Sequence, residues 1–343
     1  MAHSQSADDM NLEQLADYLA GHIAGLHQIN AARKFPTGQS NPTYLLDSNI
    51  GPLVLRRKPA GVLLKSAHAV DREFRVQAAL QESAVPVPQM LHLCVDADVL
   101  GADFYIMSHV TGRSFADPTM EGETPAGRAA IIDEMSRVLA AIHSVDLTTA
   151  GLMDYGPPGN YFERQLTRWS KQYRATELEP VADMDQLMTE LHRALPADDG
   201  QRCLVHGDYR IDNMIFDQHS ATCRAVLDWE LSTIGHPFAD LAAVIMQWRL
   251  PPGQEGRGLA GLDRSALGLM SDAEFIASYC DRRGLQGIDN FGFYLAFSFF
   301  RMAAILQGVR KRAIDGNASD PKAAVKLGAY VPMFARLGMD ALA

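Results

Sequence analysis

Residues 204–216, LVHGDYRIDNMIF, set a run of short polar side chains between two apolar strands. Asp208 and Asn213 stand five apart in that run. Fifteen residues after Asn213 another apolar strand, RAVLDW, delivers Asp228 near its end. Loops tied to strands can converge, so two carboxylates and an amide can reach one point. Phosphoryl transfer asks for such a set: a carboxylate to orient and deprotonate a hydroxyl, and oxygen ligands for a Mg²⁺ that keeps waters and phosphates as its other ligands. The bland alternative is that Asp208 and Asn213 cap a turn while Asp228 ends a strand. For one residue alone the bland reading is the better one; for the three together, chemistry is.

The texture around this run changes along the chain. Leu12, Leu15, Leu19, Ile23 and Leu26 recur at helical spacing. FPTGQSNPTYLL (35–46) and GPLVLRRKP (51–59) read as strand, turn, strand, with a helix around Ala69–Gln81. VPVPQMLHLCV (85–95) and DFYIMSHV (103–110) are strand-like, and from about 111 helices dominate. The expectation is an α+β chain: a sheet-rich N-terminal lobe over 1–108 and a larger, mostly helical lobe over 109–343. A length of 343 residues with 47% hydrophobic content suits one large domain or two lobes.

Lys+Arg 31 against Asp+Glu 41 leaves a net charge of −10, which argues against a nucleic-acid or anionic-membrane surface. Cys94, Cys203, Cys223 and Cys280 are scattered, without C-x-x-C or a Cys/His cluster, so buried reduced thiols are expected rather than zinc or disulfides. MAHSQSADDMNLEQ has no secretory signal pattern. FGFYLAFSFFRMAAIL (291–306) carries Arg301 in its middle, is too short to span a bilayer, and reads as a buried helix. A cytoplasmic protein is expected. GRGLAG (256–261) matches G-x-G-x-x-G, but RLPPGQE precedes it and no strand–helix unit surrounds it, so it reads as a loop.

H-G-D-x-x-x-x-N followed by a strand ending in L-D-W-E resembles the aminoglycoside phosphotransferase/choline kinase family, which has a protein-kinase-like fold. LAAIHSVD (139–146) and AVLDWELSTIGHPFADLA (225–242) extend the likeness. GLMDYGPPGNYFERQLTRWSKQY (151–173) and FRMAAILQGVRKRAIDGNA (300–318) are similar to a narrower branch, found fused to or beside acyl-CoA dehydrogenases. The resemblance implies ATP and Mg²⁺, with Asp208 as catalytic base, Asn213 and Asp228 as metal ligands, and Asp240 bracing the catalytic loop. Glu230 is either a supporting group behind the metal or a surface residue. Arg56 stands where kinases usually carry Lys, with Glu73 as its helix partner. Arg57 points to the other strand face. Ser40 and Asn41 in PTGQSNPT are expected near phosphates, and the backbone of Ser108–Val110 near adenine. His236 replaces a common Asp and is expected in a loop without mechanistic weight, while His143 and His206 read as packed core residues.

Phe162, Leu166, Trp169 and Tyr173 form an apolar stripe, with Arg164, Arg168 and Lys171 on the opposite face. That basic face is either solvated or a surface for an anionic acceptor such as a coenzyme A thioester. Arg301 is either a structural pair or an acceptor-binding group. The leading expectation is an ATP- and Mg²⁺-dependent small-molecule kinase acting on a hydroxyl, with a hydroxyacyl-CoA as one candidate acceptor; the alternatives are a pseudokinase or acyl-CoA-binding module, and a choline- or aminoglycoside-type kinase. A protein kinase fits poorly, because D-F-G and A-P-E are missing.

Overall fold

The computed structural model describes residues 10–35, 41–59, 69–253, 257–317 and 320–343. Helix α1 (Leu12–Ala20) is followed by β1 (Ile29–Lys34), β2 (Thr43–Ser48), β3 (Gly51–Arg57), α2 (Val70–Leu80), β4 (Met90–Cys94), the short α3 (Ala97–Leu100) and β5 (Phe104–Ser108). Then come α4 (Pro125–His143), α5 (Tyr161–Thr176), α6 (Ala182–Arg193), β6 (Cys203–Val205), β7 (Met214–Phe216), β8 (Cys223–Val226) and β9 (Thr233–Gly235). The chain closes with α7 (Phe238–Trp248), α8 (Arg264–Leu267), α9 (Asp272–Arg283), α10 (Phe291–Ile314), α11 (Pro321–Gly328) and α12 (Val331–Leu342).

Contacts gather the chain into two compact units, and the division is discontinuous in sequence. The first comprises Met1–Ser114, Thr148–Leu152 and Asp212–Ser232; the second comprises Phe115–Leu147, Met153–Ile211 and Thr233–Ala343. The reading from sequence used a single cut after residue 108.

In the first unit five antiparallel strands lie in the order β1-β2-β3-β5-β4. The period of two in β3 sends Leu53 and Leu55 to one face, where they join Leu15 and Leu19 of α1 and Phe104 and Ile106 of β5. Val54 goes to the other face, with Val70, Met90, Tyr105 and Met107. Arg56 shares the parity of Val54. Arg57 takes the opposite face, its guanidinium 5.9 Å from the Tyr44 ring centre. The β7–β8 hairpin joins this unit through backbone bonds: Val226 N–H donates to Pro86 O at 2.8 Å, and Arg113 and Phe216 exchange bonds of 2.7 and 2.8 Å. Gly112 permits that approach, since a Cβ there would sit 2.3 Å from the Phe216 oxygen.

The second unit is built around α10, which packs against α5, α6, α7, α11 and α12. The apolar stretch expected to end near 306 continues to Ile314, giving 24 residues, long and apolar enough by length and composition to cross a membrane. In its most apolar window 72% of the residues are buried inside the protein, so its faces are taken up by the core. Continuation past 306 follows from the good helix formers Gln307, Arg310, Lys311 and Arg312. Strands β6 and β9 pair antiparallel, with Leu204 opposite Ile234. All four cysteines are free and buried, Cys94 and Cys223 in the first unit and Cys203 and Cys280 in the second.

Candidate active site

In the first unit, β3 and α2 bring Arg56 and Glu73 together. Arg56 Nε lies 2.8 Å from Glu73 Oε2 and Arg56 Nη2 donates to Glu73 Oε1 at 3.3 Å, with the two side chains 12% and 1% exposed. Arg56 Nη2 reaches Asp228 Oδ1 at 2.8 Å and Glu230 Oε2 at 3.5 Å. Glu73 also accepts from Tyr105 Oη at 3.0 Å and from Asn41 Nδ2 at 2.8 Å. Burial pushes the Glu73 carboxyl up, which Arg56 opposes. The surrounding acids hold Arg56 firmly charged despite its desolvation. Three carboxylates thus face one guanidinium, and the excess of negative charge favours a further cation. Asp228 has φ 67° and ψ 57°, a left-handed backbone that Asp tolerates better than most residues and that recurs at functional positions. Asn213 is tied to the same hairpin, because its carbonyl accepts from Leu227 N–H at 2.8 Å.

Two expectations for nucleotide contacts change here. Asn41 is fully buried and spends its amide on Glu73, so it braces that carboxylate rather than facing phosphates. Ser108 donates its backbone N–H to Gln89 O at 2.8 Å and accepts at Oγ from Gln89 N–H at 2.9 Å, which closes that amide to adenine. Val110 lies just past the strand, half-buried. Ser40 lies outside the described residues. Tyr105 was missed by sequence reasoning, although it pairs directly with Arg56 across β3 and β5.

In the second unit, Asp208 follows Gly207, whose φ of 84° is left-handed. Asp240 is buried beneath this loop and accepts from His206 N–H at 2.7 Å and Gly207 N–H at 2.8 Å. His143 Nε2 lies 3.3 Å from the same carboxylate, and its Nδ1 is 2.7 Å from Tyr279 Oη. Burial pushes the Asp240 carboxyl up, but the His143 hydrogen bond and the Gly207 amide outweigh it, leaving the group below the usual range. Burial keeps His143 below its ordinary value. Arg210, which sequence reasoning passed over, places Nε 3.3 Å from Asp208 Oδ1. His236 is not a free loop side chain: it is buried, stacks on Tyr294 at 5.5 Å and 15°, and faces Asp199 Oδ2 at 3.2 Å.

The basic face of α5 separates into parts. Arg164 turns back to donate to Pro158 O at 2.9 Å and Gly159 O at 2.7 Å, fastening the loop before its own helix. Arg168 is exposed, with its guanidinium 5.2 Å from the Trp169 ring, and Lys171 is exposed. Arg301 reaches the same ring at 5.8 Å and donates to Gly207 O at 3.2 Å.

The sequence profile of the phosphotransferase enzyme family matches residues 31–276. The chain belongs to that family. A crystal structure from Ralstonia eutropha, assigned as an aminoglycoside phosphotransferase, is 43% identical with a TM-score of 0.89, covering 96% of this chain and 97% of that one. Acyl-CoA dehydrogenase family member 10 of Mus musculus is 45% identical over 314 residues, 91% of this chain but 29% of that protein. Member 11 of Homo sapiens is 41% identical over 314 residues, 90% of this chain and 40% of that protein. The chain therefore spans less than half the length of these relatives. Spectinomycin phosphotransferase, at 12% identity and a TM-score of 0.63, shares the fold. The α+β architecture is thus the kinase-like phosphotransferase fold, carried by a member of the phosphotransferase enzyme family.

Proposed function

We propose that this phosphotransferase moves the γ-phosphoryl group of Mg²⁺-bound ATP to a hydroxyl on an acyl-CoA thioester. The observation that carries the nucleotide half is the buried Arg56–Glu73 pair continuing into the left-handed Asp228. Structural neighbours described with ADP or AMP-PNP support the same choice of nucleotide. Asp228, beside an excess of negative charge, and Asn213, whose backbone is tied to the same hairpin, would supply the hard oxygen donors that Mg²⁺ takes; when bound, the metal neutralises phosphate charge. Arg56, set by Glu73, grips the phosphates, and the backbone at Val110 borders adenine. Glu230 adds a further carboxylate beside Arg56, 3.5 Å from Nη2. Asp208 accepts the hydroxyl proton, and Asp240 holds its loop.

The acceptor half rests on the relatives named as acyl-CoA dehydrogenase family members and on the exposed cations Arg168 and Lys171. Coenzyme A phosphates suit such cations. Four buried thiols suit the reducing cytoplasm. A second reading, an acyl-CoA-binding module without turnover, is favoured by Arg56 spending its charge on Asp228. The test is ADP release and mass-detected phosphorylation over hydroxyacyl-CoAs, choline and aminoglycosides. Asp208→Asn is expected to lower turnover by about 10²–10⁴-fold while ATP binding, read by calorimetry, stays intact. Phosphorylation of choline or an aminoglycoside instead of the thioesters refutes the acceptor. Absence of any turnover, with thioester binding retained, selects the second reading.

A further inference from the structure

Helix α10 runs through the core of the second unit, and Arg301 interrupts its apolar run between the buried Phe299, Phe300, Ala303 and Ala304. Arg301 is itself half-buried, so its guanidinium is only partly withdrawn from water and gains from an acceptor on its inner side. Among the described ion pairs none includes Arg301. Its described partners are the Gly207 carbonyl, taking Nη2–H at 3.2 Å, and the Trp169 ring, 5.8 Å from the guanidinium carbon.

Gly207 is the residue at which the loop before Asp208 has most freedom. It stands at φ 84°, and without a Cβ its flanking peptides can rotate at little steric cost. Each flanking peptide is held. The one before Gly207 gives its N–H to Asp240 Oδ1 at 2.8 Å. The one after it, which supplies the Asp208 nitrogen, gives its carbonyl to Arg301, while the Asp208 N–H lies 3.2 Å from His206 Nδ1. Asp240 does not touch the second peptide, which is held by His206 Nδ1 on its N–H and by Arg301 on its carbonyl. We infer that Arg301 is a positioning residue for the catalytic base, clamping the Gly207–Asp208 peptide from α10. The Trp169 ring, 5.8 Å from the guanidinium carbon, gives the charge a cation–π partner, a contact that Arg makes more often than Lys.

The inference rests on the proposed role of Asp208, so the experiment reads the clamp and the chemistry separately. Arg301→Met removes the donor, Arg301→Gln keeps a neutral one, and Arg301→Lys keeps charge without the plane. ADP release with water as acceptor and with hydroxyacyl-CoAs gives kcat and KM for ATP. Hydrogen exchange reports the Gly207 and Asp208 amides in the intact chain. Displacing a catalytic group by about 1 Å costs on the order of 10²-fold, so Arg301→Met is expected to lose that much in kcat. Its KM for ATP should stay within about twofold by the same positioning argument, and Arg301→Gln should recover part of kcat. Exchange at Gly207 and Asp208 should quicken in Arg301→Met while α7 and α9 amides hold. Unchanged exchange overturns the clamp, as does a variant whose acceptor KM alone rises. Should Arg301→Met not fold, the Gln and Lys variants carry the same readings. Quickened exchange with unchanged kcat means instead that Asp208 is not the base, and the catalytic meaning of the clamp falls with it.

Discussion

Replacing Glu73 by Gln keeps the shape of a buried side chain and removes its charge. Glu73 faces four donor groups: it accepts from Asn41 Nδ2 at 2.8 Å and Arg56 Nη2 at 3.3 Å on Oε1 and from Tyr105 Oη at 3.0 Å on Oε2, while Arg56 Nε sits 2.8 Å from Oε2 as an ion pair. A Gln offers one oxygen and one NH₂, so whichever way it turns, two donors meet a donor. Breaking a buried pair by removing one partner costs about 3–5 kcal/mol. Arg56 retains Asp228 and Glu230, whose side chains are 36% and 25% exposed, so it is not stranded and the lower end applies. A loss of about 3 kcal/mol corresponds to a fall in Tm of roughly 6–12 °C for a unit of this size. Calorimetric melting of Glu73→Gln measures it, and Asn41→Ala serves as the lighter cut into the same network, at about 1 kcal/mol. The double variant should cost less than the sum, because both act on one carboxylate. A Glu73→Gln protein melting within about 2 °C of the wild type refutes the ledger, since the buried pair would then carry less than about 1 kcal/mol.

Asp228→Ala and Asp228→Gly should both weaken Mg²⁺–ATP binding in calorimetry while leaving adenosine binding unchanged. The Gly variant should be the more stable by roughly 1–2 kcal/mol, because Ala resists a φ of 67°; equal melting would remove the strain argument. Gly112→Ala sets a Cβ 2.3 Å from the Phe216 oxygen and should cost about 1–3 kcal/mol in chemical denaturation. His143 and His236 are both pushed below their ordinary pKa by burial. As pH falls through about 6.5 the unfolded chain takes up protons that the folded one refuses, so stability should drop by at most about 1.4 kcal/mol per pH unit for each. Tm measured from pH 8 to pH 5 checks this, and His236→Phe should flatten the slope.

Strand periodicity alone puts Arg56 and Arg57 on opposite faces of β3, because a period of two needs only the neighbouring residues. The polar runs HGDYRIDN and LDWE were visible for the same reason: they break local apolar patterns. What stayed hidden depends on distant partners. Asn41 looked like a phosphate contact until α2 brought Glu73 to it from 32 residues away. Arg164 belongs by periodicity with Arg168 and Lys171, yet the carbonyls of Pro158 and Gly159 capture it. The membership of Asp212–Ser232 in the first unit was equally out of reach, since it follows from backbone bonds to Pro86 and Arg113 that no local pattern announces.

The distribution of the thiols makes the protein its own two-channel reporter. Cys94 and Cys223 lie inside one unit, Cys203 and Cys280 inside the other, and all four are buried. Burial also pushes the Cys203 and Cys280 thiols up, so reagents that need the thiolate should pass them by in the native state. Pulsed alkylation followed by peptide mass spectrometry would therefore label each pair only when its own unit opens. Without an introduced probe, the order in which the two units let go under denaturant could be read from which pair of cysteines gains mass first.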